Sequence, residues 1–246
     1  MLKRLRAAVG FLTIVPVGCP LAVDGRVLGR SLAWFPIVGL ALGGALVGVY
    51  QVVTLRLPPL VAAVAVVATL AWLTGALHLD GLADCCDALA GARTRQGRLR
   101  LMRDPHVGAA AVVGVTCLLM AKVAVLASLP AAVAWRAVLL MPCLGRTAMV
   151  ALATALPYAR PEGGTAEPFV AHGSGRALAV ALGVALAAAW CLARSVGLWV
   201  VGGVALTVAV QRAACRRLLG GVTGDALGAS GELTELMTVV LVGWLW

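Results

Sequence analysis

Charge is scarce in this sequence, and negative charge is scarcest. Of 246 residues 12% are charged and ten are acidic, against 62% hydrophobic, and the mean hydropathy is +1.00. Soluble domains run nearer roughly half apolar and about a quarter charged, so that class is excluded. Aromatic residues make up 5% of the chain, and the arginines are strung between hydrophobic runs, so a formal charge of +10 does not read as nucleic-acid binding. It reads as retention of positive charge on one side of a membrane. The seven cysteines (Cys19, Cys85, Cys86, Cys117, Cys143, Cys191 and Cys215) form no CxxC pair and are odd in number. Neither a disulfide framework nor a zinc site follows from them. The alternating polarity of a membrane barrel is also missing, which leaves helices as the spanning element.

What is present comes in blocks. No charge interrupts residues 31 to 55, and only Arg56 separates that run from 57 to 77. Candidate spans are 31–53, 60–78, 107–128, 132–156, 177–193, 196–211 and 228–246. Most approach the roughly 20 residues that cross a core of ~30 Å, the fifth and sixth being short. "RLPPL", "SLPAA" and "LPYARPEGG" punctuate the ends of the first, third and fourth. The expected fold is all-α, a polytopic bundle of about seven transmembrane helices forming one integral-membrane domain over 1–246. The start, "MLKRLRAAVGFLTIVPVGCPLAVDG", has the basic and apolar parts of a signal peptide. Two prolines break its run and no small-x-small site follows, so it reads as a retained, membrane-hugging or re-entrant segment. On this map fifteen basic residues fall on the side of the N-terminus and the even-numbered loops, against Arg56 and Arg194 opposite. The fifteen face the cytoplasm.

Every acid then lies at or beside the cytoplasmic face. In "TGALHLDGLADCCDAL", Asp80, Asp84 and Asp87 are spaced i, i+4 and i+7, within roughly a 60° arc of one helix. Like charges on one face repel, more so at a low-dielectric boundary. A divalent cation reverses the sign, and oxygen-only ligands suit Mg²⁺ or Mn²⁺. Pairing with the arginines at 93 to 103 is the bland alternative and does not exclude the metal. In "GDALGASGELTELM", Gly224, Gly228 and Gly231 allow close approach of backbone or ligand. Glu232 and Glu235 follow at the start of the last span, where acids are functional candidates, although complementing the helix dipole is the simpler role.

The stretch "RTRQGRLRLMRDPHVGAAAVVG" sets five arginines, Arg103 among them, around Asp104 before a helix that opens near Gly108. Helix N–H groups and guanidinium forks hold phosphate. Arg146, in "CLGRTAMV", is the span arginine least explained by topology, with snorkelling as its alternative. Arg103, Arg146, Gly81, Gly108, Gly224 and Gly228 are thus the phosphate-binding candidates. A lone histidine is more often structural, but His78, two residues from Asp80, is a candidate proton acceptor beside Asp80 and Asp84.

Together "GFLTIVPVG", "FPIVGLALGG", "TGALHLDGLADCCDAL", "LMRDPHVGAAAVV", "PYARPEGGTAEPF" and "GDALGASGELTEL" resemble, in order and separation, the cobalamin synthase family of membrane-bound adenosylcobinamide-GDP ribazoletransferases. The resemblance covers nearly the whole chain and implies a reaction. Adenosylcobinamide-GDP and alpha-ribazole, or its 5′-phosphate, would give adenosylcobalamin, or its phosphate, and GMP, with Mg²⁺. It implies a bacterial inner-membrane enzyme with a cytoplasmic site, and leaves room for a homo-oligomer or association with other cobalamin-assembly enzymes. By motif, Asp80, Asp84 and Asp87 form the metal and pyrophosphate end, Asp104 a second acidic contributor, and Asp225, Glu232 and Glu235 the facing wall. "CCDAL" departs from the smaller, glycine-containing tail of the family, which bears on Asp87, and "RDPHVG" departs at Pro105 and His106. A CDP-alcohol phosphotransferase shares the start of Asp80-Gly81-Leu82-Ala83, but Asp84 stands where its arginine belongs. A cation transporter would want acids in the other spans, which hold none.

Overall fold

The structure, a computed structural model, describes residues 1–18 and 24–246. The Pro-rich part of the N-terminal segment, Cys19 included, runs into residues outside the described ones. Among the described residues the regular elements are all helical. The first two are α1, Leu2–Leu12, and α2, Gly25–Ser31, the latter capped by Asp24 accepting from the Arg26 amide at 3.0 Å. A single 3₁₀ turn, Leu32–Trp34, leads into α3, Phe35–Thr54. Then come α4, Pro59–Leu73, α5, Leu77–Gly91, and α6, Arg95–Leu101. The rest are α7, Ala109–Ser128, α8, Ala131–Ala155, α9, Glu167–Ala171, α10, Gly175–Leu218, and α11, Gly224–Leu245. Prolines open α3 and α4 in the first turn, where the missing N–H costs no hydrogen bond.

Five helical stretches are long and apolar enough to cross a membrane, Gly25–Thr54, α7, α8, α10 and α11, or six if the pair α4–α5 is one bent span. The protein is therefore an all-helical membrane protein. Its chain differs from a row of simple spans in two places. Gly75 and Ala76 both take left-handed backbone, at φ 59° and 56°, and turn α5 by 91° from α4. The turned helix α5 carries the three aspartates and is not itself among the five long apolar stretches.

The second place is α10, whose 44 residues would extend about 66 Å if straight, over twice a hydrocarbon core. It breaks at Arg194, φ 49°. A Cβ on Gly197 would overlap the Ala189 carbonyl oxygen, a meeting that requires the chain to double back. Both outer ends of α10 are also held at one end of the bundle. Gly173 packs on Ala153 and Thr154, while Arg98 donates to the Leu218 carbonyl at 3.3 Å. So α10 is a helical hairpin, broken where the sequence placed the boundary between 193 and 196.

The bundle is organised around α8, of whose most apolar window 83% is buried. It packs against α3, α10 and α11. On α3, Gly39 and Gly43 lie directly against the α8 backbone at Pro142 and Leu139, the small-residue contact by which helices approach closely without a hydrophobic drive.

Candidate active site

Two glycines bring the site together. A Cβ on Gly81 would lie 2.7 Å from the Asp225 carbonyl oxygen, and one on Gly228 3.0 Å from His78 Cα. Their absence lets α5 cross α11 with backbones nearly touching. That crossing sets His78, Asp80 and Asp84 of α5 beside Asp225 in the first turn of α11. Thr223 caps α11, its hydroxyl accepting from the Ala226 amide at 3.1 Å. The loop after α8 is clipped alongside. The Ala159 amide donates to the Val222 carbonyl and the Val222 amide to the Pro157 carbonyl, both at 2.9 Å, and any side chain on Gly221 would overlap the latter. From this clip Arg160 donates to Asp225 Oδ2 at 2.5 Å and to the Met102 carbonyl at 3.4 Å.

Between these elements and the end of α1 lies a cavity of about 300 Å³. His78, Asp80, Tyr158, Arg160, Thr165, Gly224, Asp225 and Gly228 line it, with Phe11 over one side. Of the sequence candidates it gathers His78, Asp80, Asp225, Gly224 and Gly228. Arg160, Tyr158 and Thr165 were not among them. The signal lay in "PYARPEGGTAEPF", read as the end of a span and as part of the family resemblance but not for its individual residues. Burial pushes the Asp84 carboxyl up to about 6, with the charges of Asp225 and Asp80 adding to the rise and Arg160 opposing it. Burial likewise lifts the Tyr158 phenol, which stays a neutral hydrogen-bonding group. Among the described residues no three Asp, Glu, His or Cys side chains already stand in metal-ligand geometry. The charges of Asp80 and Asp225 both act on Asp84, so the three carboxylates form an oxygen donor set of the kind that suits a hard divalent cation.

Other candidates stand elsewhere. Glu232 and Glu235, expected as a facing wall for metal, lie inside the bundle. Lys122 of α7 donates to both at 2.6 Å, and Arg146 pairs with Glu235. All four side chains are at most 7% exposed. A buried carboxylate is tolerated when it is paired and hydrogen-bonded, and Lys122 supplies the pairing charge. Arg146, expected at substrate phosphate, does not line the cavity; its other contact is the His78 ring, at 3.5 Å from Nδ1.

Asp87 turns toward α7. Its Oδ2 accepts from the Gly108 amide at 2.6 Å and its Oδ1 from the Ala111 amide at 2.9 Å. The helix N-terminus expected to hold phosphate thus already holds a carboxylate of the protein, and neither Gly108 nor Asp87 lines the cavity. Asp104 closes a local turn on His106, whose amide and ring hold its carboxyl below the usual range. Arg103 makes an exposed pair with Glu162 at 3.1 Å. Gly81 serves the helix crossing rather than a ligand.

Fold and site define a polytopic helical membrane protein with an acidic, arginine-bearing cavity at one end of its bundle. Residues 4–243 match the family described as cobalamin-5-phosphate synthase, and the chain belongs to that family. It is 39% identical over 239 residues to an adenosylcobinamide-GDP ribazoletransferase of Syntrophobacter fumaroxidans, covering 96% of each chain. It is 37% identical to one of Geotalea daltonii over 99% of both chains, and 38% to one of Chlorobium phaeobacteroides over 97% and 96%. No solved structure matches it.

Proposed function

We propose that this chain is an adenosylcobinamide-GDP ribazoletransferase, joining adenosylcobinamide-GDP to alpha-ribazole or its 5′-phosphate with release of GMP. The observation that carries the reading to particular residues is the cavity where Asp80 and Asp225 stand with Arg160 at the opening of α11, with Asp84 close enough behind them to feel the charge of all three. In this reaction a ribose hydroxyl attacks one phosphorus of a diphosphate, and negative charge gathers on the phosphoryl and leaving oxygens. Such transfers are catalysed by positioning and electrostatics, with little covalent work by protein.

Arg160 holds a diphosphate oxygen with the guanidinium face not engaged by Asp225. The free amides at the start of α11, beside Gly224, add fixed partial positive charge. A carboxylate of the aspartate cluster takes the hydroxyl proton. Phe11 and α1 shield the reacting atoms from water. Asp80, Asp84 and Asp225 would hold Mg²⁺, which when bound neutralises diphosphate charge. The protein sits, on this reading, in the bacterial inner membrane with seven spans and its cavity toward the cytoplasm. The fifteen-to-two distribution of basic residues supports that orientation.

Detergent-solubilised protein, incubated with adenosylcobinamide-GDP, alpha-ribazole and Mg²⁺, is expected to release GMP. Chelation should abolish release and added Mg²⁺ restore it. Absence of GMP from folded protein with all components present would sink the proposal.

A further inference from the structure

His78 stands at the junction of the cavity and the buried ion network, and its two ring nitrogens have different surroundings. Nδ1 faces the Arg146 guanidinium at 3.5 Å. Nε2 is buried and has no hydrogen-bond partner among the described residues. Arginine carries donors only, so Nδ1 must present its lone pair to Arg146, and the ring proton resides on Nε2. Arg146 cannot swing away, because Glu235 holds it, and Lys122 in turn holds Glu235 together with Glu232. His78 itself is 2% exposed and lines the cavity, its backbone held against that of α11 at Gly228.

We propose that His78 is a hydrogen-bond donor to a phosphate oxygen of the substrate, its Nε2–H fixed in that role by Arg146. The inference rests on the ribazoletransferase reading and replaces the proton-acceptor role that the sequence suggested for His78, since a ring with its proton already on Nε2 cannot accept another there. The buried charges of the spans thereby acquire a task. They orient a donor at the cavity wall, and Arg146 and Glu235 are positioning residues. An unmade hydrogen bond at a buried N–H is costly, and a phosphate oxygen is the acceptor that this cavity is built to receive.

Glutamine places its amide N–H where Nε2–H lies but cannot act as a base, whereas asparagine places its N–H nearer the Nδ1 position. His78→Gln is therefore expected to keep turnover within about tenfold of the wild type, and His78→Asn to lose about a hundredfold, the usual effect of deleting one such donor. A base role predicts equal, severe loss in both. Because either variant could fold poorly, the wild type is also read directly by ring ¹⁵N NMR. Three histidines are present, and the signals of the exposed His106 and His172 are assigned by their absence in His106→Gln and His172→Gln, which leaves those of His78. The Nε2–H tautomer is expected in the wild type, and an Nδ1–H tautomer overturns the proposal. If the wild type releases no GMP, the enzymatic reading fails; if it does and glutamine is no better than asparagine, only this inference fails.

Discussion

Asp80 and Asp87 share one helix, yet they answer to different neighbours. Asp80 lines the cavity, while both oxygens of Asp87 accept from amides of α7. Replacement by asparagine should separate the two. Asp80→Asn and Asp84→Asn are expected to cut GMP release severely while leaving thermal stability unchanged or raised, because repulsion is removed along with an oxygen proposed to bind metal. Asp87→Asn should do the reverse, losing about 0.5–2 kcal/mol as a weakened helix cap with a milder loss of turnover. Melting temperature and GMP release measured on the same preparations check this; equal behaviour of all three would put Asp87 back in the site. Arg160→Lys keeps the charge but loses the planar fork. A fall in turnover of about tenfold or more is expected, and unchanged activity would remove Arg160 from phosphate binding. Lys122 is a different case, being 2% exposed between two glutamates. Lys122→Met leaves Glu232 without its cation and should cost about 3–5 kcal/mol, read as a large drop in melting temperature in detergent.

At the scale of elements, the crossing of α5 and α11 sets the site, and glycines set the crossing. Gly81→Ala would drive a methyl group into the Asp225 backbone, which cannot yield as a flexible side chain would. Loss of both stability and turnover is expected. Gly183→Ala on α10, where nothing lies within 4 Å of the added carbon, should be neutral or stabilising by up to about 1 kcal/mol. If the two behave alike in a melting experiment, the close crossing is not what Gly81 provides. These glycines also mark the limit of what the sequence told. "DGLAD" and "GDALGASG" showed where backbone must come close, but a missing Cβ makes room for another helix as readily as for a ligand. The span ends were legible because proline and arginine act locally. The partners of Glu232 and Glu235 were not, because Lys122 reaches them from more than a hundred residues away. Arg160 was hidden for a related reason. A loop arginine after a span looks like topology until the Tyr158–Val222 bridge pins it against Asp225.

For the whole molecule, the hairpin of α10 decides which ends of the chain share a side. A straight helix of that length would carry residues 175 and 218 to opposite faces of the membrane, and one of the basic segments 93–103 and 212–217 would have to face outward. With the break at Arg194 both segments lie at the cavity end, where Arg95 donates to the Ala159 carbonyl at 3.3 Å and Arg98 to the Leu218 carbonyl at the same distance. Arg194 then sits at the far tip, on the side of Arg56. Positive residues are retained on the cytoplasmic side, so reporter fusions at residues 95 and 220 should both read cytoplasmic, and a fusion at residue 194 external. Trp244 and Trp246, at the end of α11, should lie at the outer interface, where an indole ring meets both lipid and water. The fusion at 194 is the sharp test, because the basic loops alone would pull 95 and 220 inward in many arrangements. If 194 reads cytoplasmic while 95 and 220 also do, the hairpin does not cross the bilayer and the molecule has two spans fewer. If 220 reads external, α11 enters from the other side and carries Asp225 away from Asp80, and the cavity cannot be the place where the reaction occurs.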